Sequence, residues 1–199
     1  MVLKGILTAA AASAILLLSP ISTYAGTVFY NDVPKDCDVM FVGDSRTVGM
    51  MQSIKSVNDE KTGYICEVGK GLAWLGKKAE KHILSGAKKG TTVIFNLGVN
   101  DVGNADKYVE EYNELTSQLK KAGCRVYFET VNPVGANCKT LSNRQIDRFN
   151  KKMTDELDCS VIDTNSMLKE KGYSAPDGLH YTADTYRTIY KSVIESISE

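Results

Sequence analysis

The chain has 199 residues, with 24 lysines and arginines balancing 24 aspartates and glutamates. A neutral chain without a long basic run gives nucleic acid no electrostatic footprint, and that class is set aside. Five cysteines, none spaced Cys-x-x-Cys, supply neither a zinc site nor a thioredoxin motif.

In chain order, Lys4 precedes an apolar, alanine-rich run from Gly5 to Leu18, then Ser19-Pro20 and the small-residue site Thr23-Tyr24-Ala25. That order reads as a secretory signal peptide over residues 1–25, cleaved after Ala25. The apolar run falls short of the roughly 20 residues that span a bilayer. An uncleaved N-terminal membrane anchor is the second reading, since a single lysine leads the run. Residues 26–199 are then one secreted or cell-envelope domain, large enough for its own core. Residues 26–36 read as a short lead-in.

Short apolar runs follow, rich in β-branched and aromatic residues. They span residues 38–42, 63–67, 91–96, 125–130 and 160–163. Each suits a strand covered on both faces. Helical stripes alternate with them. Leu75, Ala79 and Ile83 make a weak one, ended by Gly86. Tyr108, Tyr112, Leu115, Leu119 and Ala122 make a strong one. Ile146, Phe149, Met153 and Leu157 make a third, and Tyr186, Ile189, Tyr190, Val193 and Ile197 a fourth. Gly90, Gly123 and Gly172 mark stops. Strands alternating with helices predict an α/β fold: a three-layer α/β/α sandwich around a five-stranded parallel sheet. Ligands in such sheets bind beyond the carboxyl ends of the strands.

Four segments fall there or in the late loop. They are Gly43-Asp44-Ser45, Gly69-Lys70-Gly71, Gly98-Val99-Asn100-Asp101 and Asp177-Gly178-Leu179-His180. Singly, each reads as turn or cap chemistry. Together they hold what acyl transfer requires. Ser45, at a strand-to-helix turn, is the candidate nucleophile. His180 is the candidate base. Asp177, three residues earlier, can orient it as two residues on one helical turn would. The amides of Ser45 and Gly71 and the side-chain amide of Asn100 are the candidate oxyanion donors. The scheme needs no metal and no organic cofactor. Gly43-Asp44-Ser45-Arg46-Thr47 is not the Gly-x-Ser-x-Gly elbow, and no P-loop or dinucleotide fingerprint occurs.

These blocks, in this order, resemble the SGNH hydrolases, a branch of the GDSL esterase/lipase group. The resemblance places Ser45, Gly71, Asn100 and His180 at the four residues that name the family, with Gly69 the alternative glycine and Asp177 the triad acid. It implies a flavodoxin-like fold and ester hydrolysis. Arg46 stands where the group's name has leucine, which disfavours a lipid-tail substrate. Arg46, Trp74 and Asn132 are candidate substrate contacts; an exposed helix arginine, a packing tryptophan and a loop turn are their plain alternatives. His82 sits on a lysine-rich helix face, and Asn150 reads as structural.

An exported member of this family suggests a small acyl group, O-acetyl above all, on a carbohydrate or cell-wall polymer. A lipase- or lysophospholipase-like esterase and an O-acyltransferase are alternatives within the class. A non-catalytic carbohydrate-binding module is the alternative outside it. Cys66, Cys124 and Cys159 lie in or beside apolar runs and read as small buried hydrophobes. A Cys37–Cys138 or other bridge stays open.

Overall fold

Strands and helices alternate along the computed structural model, which describes residues 29–54 and 60–198. The expected signal segment and its cleavage site lie outside the described residues. The elements are β1 (Phe29–Asp32), β2 (Val39–Gly43), α1 (Ser45–Ser53), β3 (Thr62–Glu67), α2 (Leu72–Trp74), a π-helical turn (Leu75–Ala79) and α3 (Glu80–Gly86). Then come β4 (Thr92–Asn96), a short 3-10 turn (Val102–Asn104), α4 (Ala105–Lys121), β5 (Arg125–Glu129), α5 (Asn143–Glu156), β6 (Ser160–Ile162), α6 (Thr164–Lys171) and α7 (Ala183–Ser198).

The sheet order is β1-β3-β2-β4-β5-β6. The five predicted strands are β2 to β6, and they are parallel. The sixth, β1, was expected to be lead-in. It pairs antiparallel with β3, Phe29 opposite Glu67. Its four residues are two half-buried and two exposed. So short an edge strand carries too little apolar pattern to show in the sequence; pairing with β3 defines it. Helix α6 was also not anticipated. Asp163 caps it, accepting from the Ser166 amide at 3.0 Å, and Leu168 is its one large buried apolar side chain. That leaves no stripe to read.

Alternation along the strands feeds two cores. Met40, Val42, Val93 and Phe95 face the layer of α3, α4 and α5, while Phe41, Ile94, Tyr64 and Cys66 face α1, α6 and α7. The α4 stripe behaves as its spacing requires except at Ala122, which caps the helix end and is exposed. Tyr108, Tyr112, Leu115 and Leu119 are all buried, and Tyr112 sits 4.7 Å from the Phe95 ring. Each such side chain is worth about 1.5–3 kcal/mol of burial.

Cys37, Cys66 and Cys124 are buried, Cys138 and Cys159 are half-buried, and all five thiols are free. A Cys37–Cys138 bridge does not form. Cys37 lies just before β2, at the amino end of the sheet, and Cys138 in the loop beyond β5, at the carboxyl end.

The chain runs from β2 to β3 on one side, then crosses back to β4 on the other. Their carboxyl ends lie together, Gly43 opposite both Cys66 and Asn96. A reversal of strand order opens a crevice at this point. Three of the four chemical segments leave the sheet here.

Candidate active site

Gly43-Asp44-Ser45 is at once a cap and a presented hydroxyl, with the tasks divided between neighbours. Asp44 is the N-cap of α1 and accepts from the Arg46 amide at 2.9 Å. Its carboxylate satisfies a helix amide that lacks an intrahelical partner. The Ser45 hydroxyl is thereby left for another partner, and its Oγ lies 2.9 Å from His180 Nε2. His180 Nδ1 lies 2.8 Å from Asp177 Oδ2. The structure thus brings Ser45, His180 and Asp177 into one hydrogen-bonded line. Burial pushes the Asp44 carboxyl up to about 6, against the pull of the Arg46 amide and charge.

Asp177 and His180 meet through a turn, not the helical turn expected from their spacing. Asp177 Oδ1 accepts from the amides of Leu179 at 2.8 Å and His180 at 2.7 Å. Gly178 makes the turn with φ +84°, and a Cβ there would lie 2.5 Å from the Cys138 nitrogen. The same close approach lets Gly135 N donate to Gly178 O at 2.8 Å, so the loop after β5 buttresses the turn. Partial burial raises the Asp177 carboxyl, but the bonds from the His180 ring and from both amides outweigh it. They hold the group below the usual carboxylate range.

Asn100 follows β4 and is exposed. Its Nδ2 donates to the Lys70 carbonyl at 2.7 Å, tying the loops after β3 and β4 together. An amide nitrogen carries two N–H groups, so one remains for a ligand. Gly71 is extended (φ −148°) and is the N-cap of α2. A Cβ at Gly71 would stand 2.5 Å from both carboxylate oxygens of Asp101. Glycine is therefore needed on the side facing Asp101. Asp101 accepts from the Leu72 amide at 3.0 Å, Tyr108 Oη at 2.6 Å and Asn104 Nδ2 at 3.2 Å. Read alone, the segment Gly98-Val99-Asn100-Asp101 is turn chemistry, and this clamp does not show in it. The signal was present in the bare glycine directly before a helix.

The three expected substrate contacts turn inward. Arg46 is only 4% exposed. It donates to the carbonyls of Leu179 at 3.1 Å, Asn132 at 2.6 Å and Pro133 at 3.3 Å. Neither a substrate contact nor an exposed arginine fits that placement. Trp74 is buried; its Nε1 donates to Glu67 Oε2 at 2.8 Å and its ring meets Phe29 edge-on. Asn132 is buried, with Nδ2 donating to Glu129 Oε1 at 2.9 Å. Glu129, at the end of β5, was not singled out. It is fully buried, also accepts from Thr164 Oγ1 at 3.1 Å, and burial pushes its carboxyl up to about 7.

Asn150 pairs with both backbone groups of Val131. His82 accepts from Asn31 Nδ2 at 3.0 Å and leans against Phe29. Among the described residues, no cluster of three or more His, Cys, Asp or Glu is placed to hold a metal ion, and no helix is long and apolar enough to cross a membrane.

A parallel sheet in this order, with a serine, an imidazole and a carboxylate aligned at its reversal point, defines an α/β protein with the groups of a serine hydrolase. Solved structures of similar shape agree on the fold. An acetylxylan esterase, Axe2 of Geobacillus stearothermophilus, superposes with a TM-score of 0.60 at 15% identity, covering 84% of this chain and 97% of that one. The Bacillus subtilis protein YXIM gives a TM-score of 0.64 at 15% identity, covering 83% of this chain and 57% of that one. A search of curated protein sequences finds no match. Residues 43–193 match the GDSL-like lipase/acylhydrolase family, and the chain belongs to it. It is accordingly a carboxylic ester hydrolase by class.

Proposed function

We propose that this protein is an exported serine esterase that removes small acyl groups, chiefly O-acetyl, from carbohydrate or cell-wall polymers. The observation that carries the reading is the unbroken line from Ser45 Oγ through both nitrogens of His180 to Asp177, at 2.9 and 2.8 Å. Those are hydrogen-bond distances between a nucleophile, a base and its orienting acid.

His180 Nε2 takes the Ser45 proton as Oγ attacks the ester carbonyl. The developing oxyanion is met by the amides of Ser45 and Gly71 and by Asn100 Nδ2. The start of α1 adds the positive end of a helix dipole. The tetrahedral intermediate collapses, His180 gives its proton to the leaving alcohol, and the acyl group stays on Ser45. Water, deprotonated by the same imidazole, then attacks the acyl carbonyl, and His180 returns the proton to Ser45 Oγ as the carboxylic acid leaves. Asp177 keeps its negative charge throughout and fixes the Nδ1–H tautomer.

Acetyl-carbohydrate substrates are supported by the shape shared with an acetylxylan esterase and by the signal-like N-terminus. Arg46, once a reason to favour a polar substrate, no longer bears on the choice because it is buried. The test is a para-nitrophenyl ester series of increasing acyl length, followed by acetate release from acetylated xylan and peptidoglycan, with Ser45→Ala beside the parent. Acetate esters should react fastest, and Ser45→Ala should lose about 10,000-fold or more. Equal rates in the two proteins point to a binding module. Turnover of long acyl chains alone points to a lipase.

A further inference from the structure

We infer that Arg46 is a positioning residue whose guanidinium sets the distance between Ser45 and His180. The inference rests on the triad reading above.

Ser45 and His180 are 135 positions apart and belong to different segments, helix α1 and the turn before α7. Something must hold those segments at a fixed spacing. Arg46 is covalently next to Ser45. Its Nε donates to the carbonyl of Leu179 at 3.1 Å, and that carbonyl belongs to the peptide whose N–H is His180's. The same N–H donates to Asp177 Oδ1 at 2.7 Å. The Leu179–His180 peptide is thus gripped at its oxygen by Arg46 and at its nitrogen by Asp177.

The residue on the other side of His180 is held as well. The Tyr181 ring lies 4.8 Å from the guanidinium carbon, in a cation–π contact. Its hydroxyl donates to the Pro133 carbonyl, which also accepts from Arg46 Nη2. Arg46 Nη1 donates to the neighbouring Asn132 carbonyl at 2.6 Å. One planar cation therefore joins the nucleophile's helix, both neighbours of His180, and the loop after β5. Asp44 on its own turn and Glu129 at the end of β5 are the acids that face it.

Burial keeps these bonds from being exchanged for water. Arg46 is 4% exposed and Tyr181 is 2% exposed. Lysine cannot replace this arrangement, because an ammonium offers no flat face to Tyr181 and no rigid fork to reach three carbonyls. Without the brace, the Ser45–His180 contact would rest on the Gly135–Gly178 bond and on a turn that is itself half-exposed. A misplacement of about 1 Å in a reacting group can cost about 100-fold in rate.

The experiment compares the parent, Arg46→Lys, Arg46→Ala and Ser45→Ala on para-nitrophenyl acetate, well below the melting temperature of each. Trp74 fluorescence reports the folded fraction. Arg46→Lys should lose about 10- to 100-fold in kcat with KM changed by less than about threefold, since the acyl site itself is intact. Arg46→Ala should lose at least as much. It should recover about tenfold or more with roughly 50 mM guanidinium, which can occupy the vacated space, and not with ammonium or sodium chloride. A folded Arg46→Lys that keeps kcat within about twofold overturns the inference. So does an Arg46→Ala whose loss tracks its unfolded fraction and is not rescued. If Arg46→Ala does not fold, Arg46→Lys decides alone. A Ser45→Ala protein with the parent rate would instead sink the triad reading, whatever Arg46 does.

Discussion

Replacing Glu129 with glutamine should change how stability depends on pH, by an amount the structure supplies. Glu129 is fully buried, and its carboxyl is displaced from 4.5 up to about 7, chiefly by burial. The sign follows from which state holds the proton more tightly. Below pH 4.5 the carboxyl is protonated in both folded and unfolded chains and contributes no difference. As pH rises, the unfolded chain ionises first, so stability is lost until the folded carboxyl ionises near 7. A gap of about 2.5 in pKa at 1.36 kcal/mol each corresponds to about 3 kcal/mol. Glutamine keeps the acceptor for Asn132 Nδ2 and Thr164 Oγ1 but cannot titrate. The parent's unfolding free energy, measured against Glu129→Gln, should therefore fall by about 3 kcal/mol between about pH 4 and about pH 8. The displaced carboxyl of Asp44 is present in both proteins and cancels in the difference. Urea titrations followed by Trp74, the single tryptophan and a buried one, give both curves. A difference that stays level across that range would refute the reasoning.

Other expectations follow from single contacts. Asn100→Ala should lower kcat about 100- to 1000-fold with little change in melting temperature, because Asn100 is exposed and is the proposed side-chain oxyanion donor. Steady-state kinetics with a thermal melt checks both parts. Asn150→Ala should cost about 1–3 kcal/mol in a urea titration, since the buried Val131 amide loses its acceptor. The Val131 carbonyl keeps Asn165 Nδ2 at 2.8 Å, so the cost should stay near that of one orphaned group.

The parts of this molecule legible in its sequence are those set by local pattern. Five strands announced themselves as short apolar runs, and α4 by Tyr108, Tyr112, Leu115 and Leu119 at steps of three and four. Ser45, Asn100 and the Asp177–His180 pair stood out because each follows a strand end or lies in the late loop with complementary chemistry. What stayed hidden depends on partners far along the chain. Arg46 reads from the sequence as a substrate contact or an exposed helix arginine, because arginines are seldom fully buried. Its burial is possible only because the carbonyls of Asn132, Pro133 and Leu179 converge on it from distant loops. Glu129 sits where a strand would place any residue, and nothing local marks it as buried beside Asn132 and Thr164. Asp101 was visible as a turn residue, but its role as cap of α2 requires knowing that the loops after β3 and β4 are neighbours.

The proposed acid and base, Asp177 and His180, share one four-residue turn before α7. Only one long-distance encounter, between that turn and α1, is then needed to assemble three groups, so the entropy of bringing remote segments together is met once. The same economy has a temporal side. During synthesis the serine emerges 135 positions before His180, so on the proposed mechanism a chain that stops short of Asp177 carries an alcohol with no means of activating it.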